Sequence, residues 1–590
     1  MNKKQISEDV QQNQDLEEDS QSPSLPSRRK FIGNVGGITA ATIAATVVGL
    51  PSLSGTKSSE VEAAEIGPQK GNQRRNKSAQ IRHKAEVFNK QLGPPPHPCN
   101  GDEDLYPNKI GSYSKGLPHD NLGEVDLNAY DSLLNALSSG ENSDFEAIPL
   151  GSPLATRRRL VNPQSGLAFD LEGTDSHQLA IPPAPAFASA EEAGEIVENY
   201  WMALLRDAPF TQYDSDSLAQ DAAADIQALS DFRGPKSGGQ VTTGTLFRGF
   251  TPGDLAGPYL SQFMLLPAQF GTEVVDMRQQ TVSPGIDYMT AYPDWLSVQN
   301  GNTQGPESFD PTLRYIRNGR DLSAFVHIDV LFQAYFNACL TLLSIGAPFN
   351  PDNPYSNSQT QEGFGTFGGP HIKSLLSEVA TRALKAVWYQ KWFVHRRLRP
   401  EAFGGRIHNH LIGAANYPIH PDALNSQAIA EVFNNFGTFL LPMAFPEGSP
   451  THPAYGAGHA TVAGASVTAI KAFFDGSVRI ADLLAANPLK RPDGTDITAP
   501  QVPSTDGLSL LDYTGSDAGD LTVEGELNKL AANISIGRNH AGVHWRTDYT
   551  ESLLLGEAVT ISILRDQRAT YNEPFGGFTF RKFNGTTITV

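Results

Sequence analysis

Gly537-Arg538-Asn539-His540-Ala541-Gly542-Val543-His544-Trp545-Arg546-Thr547-Asp548 gathers two arginines, two histidines and a carboxylate within twelve residues. It lies between two stretches whose apolar periodicity predicts helices over 522–534 and 548–566. Residues six apart on a regular helix point about 240° apart. Arg538 and His544 therefore cannot share a helical face, and a turn through Gly542 is needed to bring both to one ligand. Asp548, four residues past His544, opens the next helix within reach of an Arg or His of the same site.

Outward from this junction the chain reads as mainly α-helical. Ser189 with Glu192 forms a capping-box pattern ahead of Ile196, Val197, Tyr200, Trp201, Leu204 and Leu205, which fall on one face. A single central core helix is expected from about Leu322 to Leu343. His327, Asp329, Gln333 and Asn337 make it a poor membrane span. Another helix is expected from His371 to Arg399, stopped by Pro400, and further ones over 426–440 and 459–475. The Asn584-Gly585 pair between Phe578, Phe580, Phe583 and Thr587, Ile588, Val590 predicts a short C-terminal β-hairpin. Residues 65–188 are Pro- and Gly-rich and read as an extended, loop-rich arm. Residues 189–590 read as a large helical-bundle domain with long loops.

The net charge of −19 over 590 residues, with a pI near 5.2, argues against a nucleic-acid partner, which requires a basic face. It also makes any tight cluster of cations informative. Two cysteines, Cys99 and Cys339, make no disulfide framework; one Cys99–Cys339 bridge is compatible with an oxidising compartment, and two free thiols are the favoured expectation. Residues 1–64 read as a polar tail plus export signal. Ser27-Arg28-Arg29-Lys30-Phe31-Ile32 precedes a mildly apolar run, the pattern of a bacterial twin-arginine leader for folded proteins, which predicts a periplasmic or extracellular enzyme with no membrane span in its mature form.

Two further motifs carry chemistry. In Lys391-Trp-Phe-Val-His-Arg-Arg-Leu-Arg399-Pro400-Glu401, Lys391 and Arg399, about 80° and about 12 Å apart on a helix, can lean toward one point from above and below. Basic residues near a helix end also simply complement its dipole. In Ser449-Pro-Thr-His452-Pro-Ala-Tyr-Gly456-Ala457-Gly458-His459, a glycine-bearing turn enters a helix and exposes backbone N–H groups to an anion. A capped helix with an incidental histidine is an equal reading of that motif taken alone. His395 reads as helix packing near the site, and His408 and His410 as surface or loop histidines. His540 and Arg546 read as support for the junction.

Taken together, Lys-x7-Arg-Pro, Gly-His and Arg-x5-His-x3-Asp resemble the signature of the vanadium haloperoxidases and their relatives, the type 2 phosphatidic-acid phosphatases and bacterial acid phosphatases. The resemblance is strongest to the bromoperoxidases of red algae and cyanobacteria. It extends through Tyr113-Ser-Lys-Gly-Leu-Pro-His-Asp-Asn121 and Tyr200-Trp-Met-Ala-Leu-Leu-Arg206. The seven residues between Lys391 and Arg399, and His452 seven before His459, match that branch, whereas the phosphatases and fungal chloroperoxidases have six between Lys and Arg.

The resemblance implies a vanadium haloperoxidase fold and vanadate as cofactor. His544 would ligate the metal, and Lys391, Arg399, Arg538 and the Gly458 amide would neutralise the oxyanion. His459 would take a proton from hydrogen peroxide, Lys391 would polarise the peroxide, and His452 would tune halide choice. The products would be hypobromous-acid equivalents that halogenate organic substrates. A homo-oligomer built from dimers is implied as well. Ala457 departs from the family, which usually carries Ser there and so one more hydrogen bond to the oxyanion. The runner-up is a phosphatase with His544 as nucleophile and His459 as leaving-group acid. A third reading is an exported oxyanion-binding protein without catalysis. Glu401 is a candidate anchor for Arg399.

Overall fold

Helices carry the architecture throughout residues 67–154 and 158–590, which the computed structural model describes. The twin-arginine segment lies outside these residues. Beyond Gly71 the chain forms one compact unit, Asn72–Val590. The helices that build the site and its scaffold are α1 (Gly71–Leu92), α2 (Leu127–Ser139), α3 (Ala190–Leu204), α4 (Gly319–Ile328), α5 (Gln333–Ser344), α6 (Gly369–Tyr389), α7 (Pro400–Leu411), α8 (Gly458–Phe473), α9 (Val523–His540) and α10 (Arg546–Arg568).

At the centre is α8, buried along its whole length except at His459. Its small residues allow backbones to meet. A Cβ on Gly464 would stand 2.1 Å from the Leu553 carbonyl of α10, and one on Gly556 would stand 2.0 Å from the Thr461 carbonyl of α8. The two helices therefore pack at glycine-limited distance, with α6 and α9 against α8 as well. The strands among the described residues form separate two-stranded antiparallel pairs. The last is the expected C-terminal hairpin, Thr579–Arg581 with Thr587–Thr589, pairing Phe580 with Ile588.

Several expectations need correction. The run expected as one helix over 322–343 is α4 and α5, which meet at 100°. Asp329 ends α4 with an extended backbone (ψ 147°), its N–H donating to the Phe325 carbonyl. Its side chain leaves the helix for a histidine of the site. No single helix among the described residues is long and apolar enough to cross a membrane, although this bent pair passes the same test by composition.

Likewise, α6 does not run to Arg399. It ends at Tyr389 and passes into a π-helical turn, Gln390–His395, which closes with Arg396 in the left-handed region (φ 39°). Pro400 stops nothing; it starts α7, after Arg399 has adopted an extended conformation. Ser189 caps α3 by accepting the Glu192 N–H, but the Glu192 carboxylate does not close the box and instead pairs with Arg397. The stretch expected as an extended arm holds α1 and α2 alongside irregular chain. His408 and His410 sit on α7, not in a loop. His408 is buried, stacked on Tyr292, and accepts the Phe439 N–H. Cys99 and Cys339 are both free.

Candidate active site

The α9–α10 junction turns at Gly542, whose φ of 79° suits glycine. A Cβ there would also stand 2.8 Å from the Met443 sulfur. The turn brings Arg538, on the last turn of α9, and His544, just before α10, to one cavity of about 270 Å³. Gly458, His459 and His452 line the same cavity.

His544 is buried, and its Nδ1 lies 2.7 Å from Oδ2 of Asp548. A carboxylate at Nδ1 fixes the proton there and leaves Nε2 as the lone-pair nitrogen. Burial first, then the charges of Arg399, Lys391 and Arg538, hold His544 well below the ordinary histidine pKa, so the ring is neutral. Asp548 is itself clamped. Its Oδ1 meets Nη1 of Arg397 at 3.0 Å, and Arg397 also binds Glu195 at 2.8 Å and Glu192.

Arg399 faces His544 Nε2 from Nη1 at 3.1 Å, donates to the Val543 carbonyl at 2.6 Å, and donates from Nη2 to His452 Nδ1 at 2.9 Å. Lys391, fully buried, donates to the carbonyls of Pro453 and Ala454 at 2.8 and 2.9 Å. Arg538 donates to the Val326 carbonyl at 2.7 Å and packs over Phe445, and its Nε has no partner among the described residues. Burial, reinforced by Arg399, pushes Lys391 well below its ordinary range, and burial lowers both arginines to about 10. Among the described residues no carboxylate lies within ion-pair distance of these three cations. Buried, mutually repelling cations around a neutral histidine nitrogen match the donor set of an oxyanion.

The helix start contributes too. Ala457 caps α8 with no side-chain hydrogen bond, its N–H donating to the Ser552 hydroxyl at 2.8 Å. At Gly458 a Cβ would press on the Trp388 ring at 3.2 Å. His459 places Nε2 3.0 Å from Asp329 Oδ1, while Trp388 and His452 stand 4.7 Å apart, ring to ring.

The structure thus brings His544, Arg538, His452, Gly458 and His459 to the cavity wall, with Lys391 and Arg399 beside them. Glu401 does not hold Arg399; it pairs with Lys115 at 2.5 Å and accepts the Ser449 N–H, fixing the loop ahead of His452. His395 packs edge-on against Tyr455. His540 meets Tyr259, and Arg546 meets Glu198. Sequence reasoning missed Asp329 and Arg397. It also missed His327 at the cavity wall, between Glu307 and Glu447. An acid inside an otherwise apolar run was the available signal for Asp329.

No protein-family model matches the sequence. The chain is 39% identical over 583 residues to a vanadium-dependent bromoperoxidase of Corallina pilulifera, covering 83% of this chain and 94% of that protein. It is 37% identical over 512 residues to a vanadium-dependent bromoperoxidase of Ascophyllum nodosum, covering 83% and 87%. Among solved structures it superposes on the homohexameric second vanadate-dependent bromoperoxidase of Ascophyllum nodosum, with a TM-score of 0.81, 32% identity, and 93% and 95% of the two chains covered.

Proposed function

The chain belongs to the vanadium-dependent bromoperoxidases, and on that premise we propose that His544, Lys391, Arg399, Arg538 and the Gly458 amide hold its vanadate while His459 moves the proton. Its activity is the vanadate-dependent oxidation of halide by hydrogen peroxide. The bound vanadate supplies a Lewis acid that activates peroxide toward halide without changing its own +5 state.

The chain's residues do the rest. His544 offers Nε2 as ligand because Asp548 keeps the proton on Nδ1. Arg399 and Arg538 fork to oxyanion oxygens, and Lys391 supplies a third cation deep in the pocket. With Nε2 on Asp329, the Nδ1 of His459 is the nitrogen left to take the proton that hydrogen peroxide gives up. His452, whose Nδ1 accepts from Arg399, adjusts the field met by the halide. Bromide is the preferred halide, and the product is a hypobromous-acid equivalent that halogenates electron-rich organic compounds. None of the relatives above favours phosphoryl transfer.

The observation that carries the residue assignment is the set of three buried cations, without carboxylate partners among the described residues, around the lone-pair nitrogen of His544. The test is peroxide-dependent bromination of a phenolic dye by apo-protein, with vanadate added or withheld and phosphate as competitor. Activity that appears only with vanadate, and is lost in His459→Ala, fits these roles. Vanadate-independent activity, or full activity in H459A, contradicts them.

The assembly proposed is a homo-oligomer built from dimers, in keeping with the homohexameric Ascophyllum relative. Residues 1–64 serve as tail and twin-arginine leader, which places the enzyme outside the bacterial cytoplasm. Residues 65–188 act as the arm and 189–590 as the catalytic core.

A further inference from the structure

The wall of the cavity carries a second charged feature, at its outward end. The side chains of Arg158, Glu447 and His327 keep 28%, 20% and 18% of their exposure, against 3% for His544. His327 lies in the last turn of α4, two residues before Asp329. Its Nδ1 lies 3.2 Å from Glu307 and its Nε2 2.8 Å from Glu447. Both ring nitrogens meet carboxylates, and only the imidazolium can donate from both at once. The ring lies flat on Phe445, centroids 3.8 Å apart and planes 12° apart, so it is fixed in place. Arg538 approaches the same Phe445 ring at 5.4 Å, which puts the outer imidazolium one aromatic ring from an inner guanidinium.

Resting on the function proposed above, we propose that His327, locked between Glu307 and Glu447, forms with Arg158 the cationic half of a charge-balanced lip that admits halide to the pocket. The charge count explains the need for it. Glu447 at the rim and Glu307 behind His327 bring two negative charges to this group, and Arg158, 4.0 Å from Glu447, cancels one. Without a charged His327 the rim would be net negative and would repel bromide. With it the rim is neutral, and the field of Arg538, Arg399 and Lys391 reaches the entrance. The other groups around the rim are already engaged. Lys115 binds Glu401 and the Glu447 carbonyl, and Asp329 binds His459. Burial alone would lower the His327 pKa, but hydrogen bonds and charge from Glu307 and Glu447 outweigh it and lift it to about 9. The C-terminal end of α4 also favours a cation there.

The two substrates supply the control, because bromide is charged and hydrogen peroxide is not. In steady-state bromination, His327→Gln raises KM for bromide by about three- to tenfold while KM for peroxide stays within about twofold. The double variant H327Q/E447Q restores a neutral rim and brings the bromide KM back toward wild type. Equal rises in both KM values, or no rise for bromide, would overturn the lip. A second readout needs no turnover: the stopped-flow rate at which apo-protein takes up vanadate or phosphate, followed by tryptophan fluorescence at low salt. H327Q slows this rate and the double variant recovers it; an unchanged rate in H327Q rejects the proposal. If wild type takes up oxyanion yet shows no vanadate-dependent bromination, the functional reading fails while the uptake rate still reports on the lip.

Discussion

Oδ2 of Asp548 sits 2.7 Å from Nδ1 of His544, one helical turn away at the start of α10, while Oδ1 of the same carboxylate is held by Arg397. A single carboxylate thus sets the tautomer of the histidine and ties it to the buried Arg397–Glu192–Glu195 cluster.

Asp548→Asn keeps the shape and removes the charge that holds the proton on Nδ1. Vanadate affinity should fall by about 10- to 100-fold, read by titrating apo-protein and measuring bound vanadium. A wild-type dissociation constant in D548N would mean the tautomer is set by something else.

Asp329→Asn leaves His459 in place but uncouples it from its carboxylate. The expected loss is in kcat, by about tenfold or more, with vanadium content unchanged and the pH profile displaced. An unchanged kcat and pH profile would reduce the 3.0 Å contact to a packing role.

Ala457→Ser adds a hydroxyl at a helix N-cap that has no side-chain hydrogen bond. One hydrogen bond to a charged group is worth about 1.5–3 kcal/mol, so vanadate should bind about tenfold tighter or more. Capping should raise the stability of the apo-protein by about 1 kcal/mol. Calorimetric melting and vanadate titration measure the two effects separately, and unchanged affinity would show that the hydroxyl does not reach the oxyanion.

The His327–Glu447 pair makes stability depend on pH from both sides. The His327 pKa is raised to about 9, so its contribution is complete below the unfolded value near 6.5 and is lost as pH rises through about 9. Glu447 is the reverse. Burial opposes its ionisation, but the hydrogen bond and charge of His327 prevail and lower it to about 2, so its contribution holds above about 4.5 and fades as pH falls toward 2. The melting temperature of wild type should therefore decline between pH 6.5 and 9.5 more steeply than that of H327Q. Parallel curves would place the alkaline loss elsewhere.

The convergence of Arg538 and His544 was legible in the sequence. Six-residue spacing forbids one helical face, and Gly542 is the residue able to turn at φ 79°. Lys391 and Arg399 come to the same pocket by a route that the helical spacing did not suggest. A π-turn and a left-handed Arg396, not one continuous helix, bring them together, and no local rule predicts an arginine at φ 39°. Asp329 was hidden because periodicity ran through it; the helix broke where His459 offered its side chain a partner. Glu192 shows the same conflict, since a local capping role lost to a buried ion pair with Arg397. Local pattern located the elements and the chemistry-bearing residues, while tertiary partners decided where helices ended and which carboxylate served which cation.

Equilibrium binding of vanadate to apo-protein, wild type against His544→Ala, with vanadium counted per chain after gel filtration, tests the central assignment most directly. Wild type should retain one vanadium per chain, displaceable by phosphate, and H544A should retain almost none at the same free vanadate, although Lys391, Arg399 and Arg538 remain. Retention by H544A with the wild-type dissociation constant would contradict His544 as the ligand.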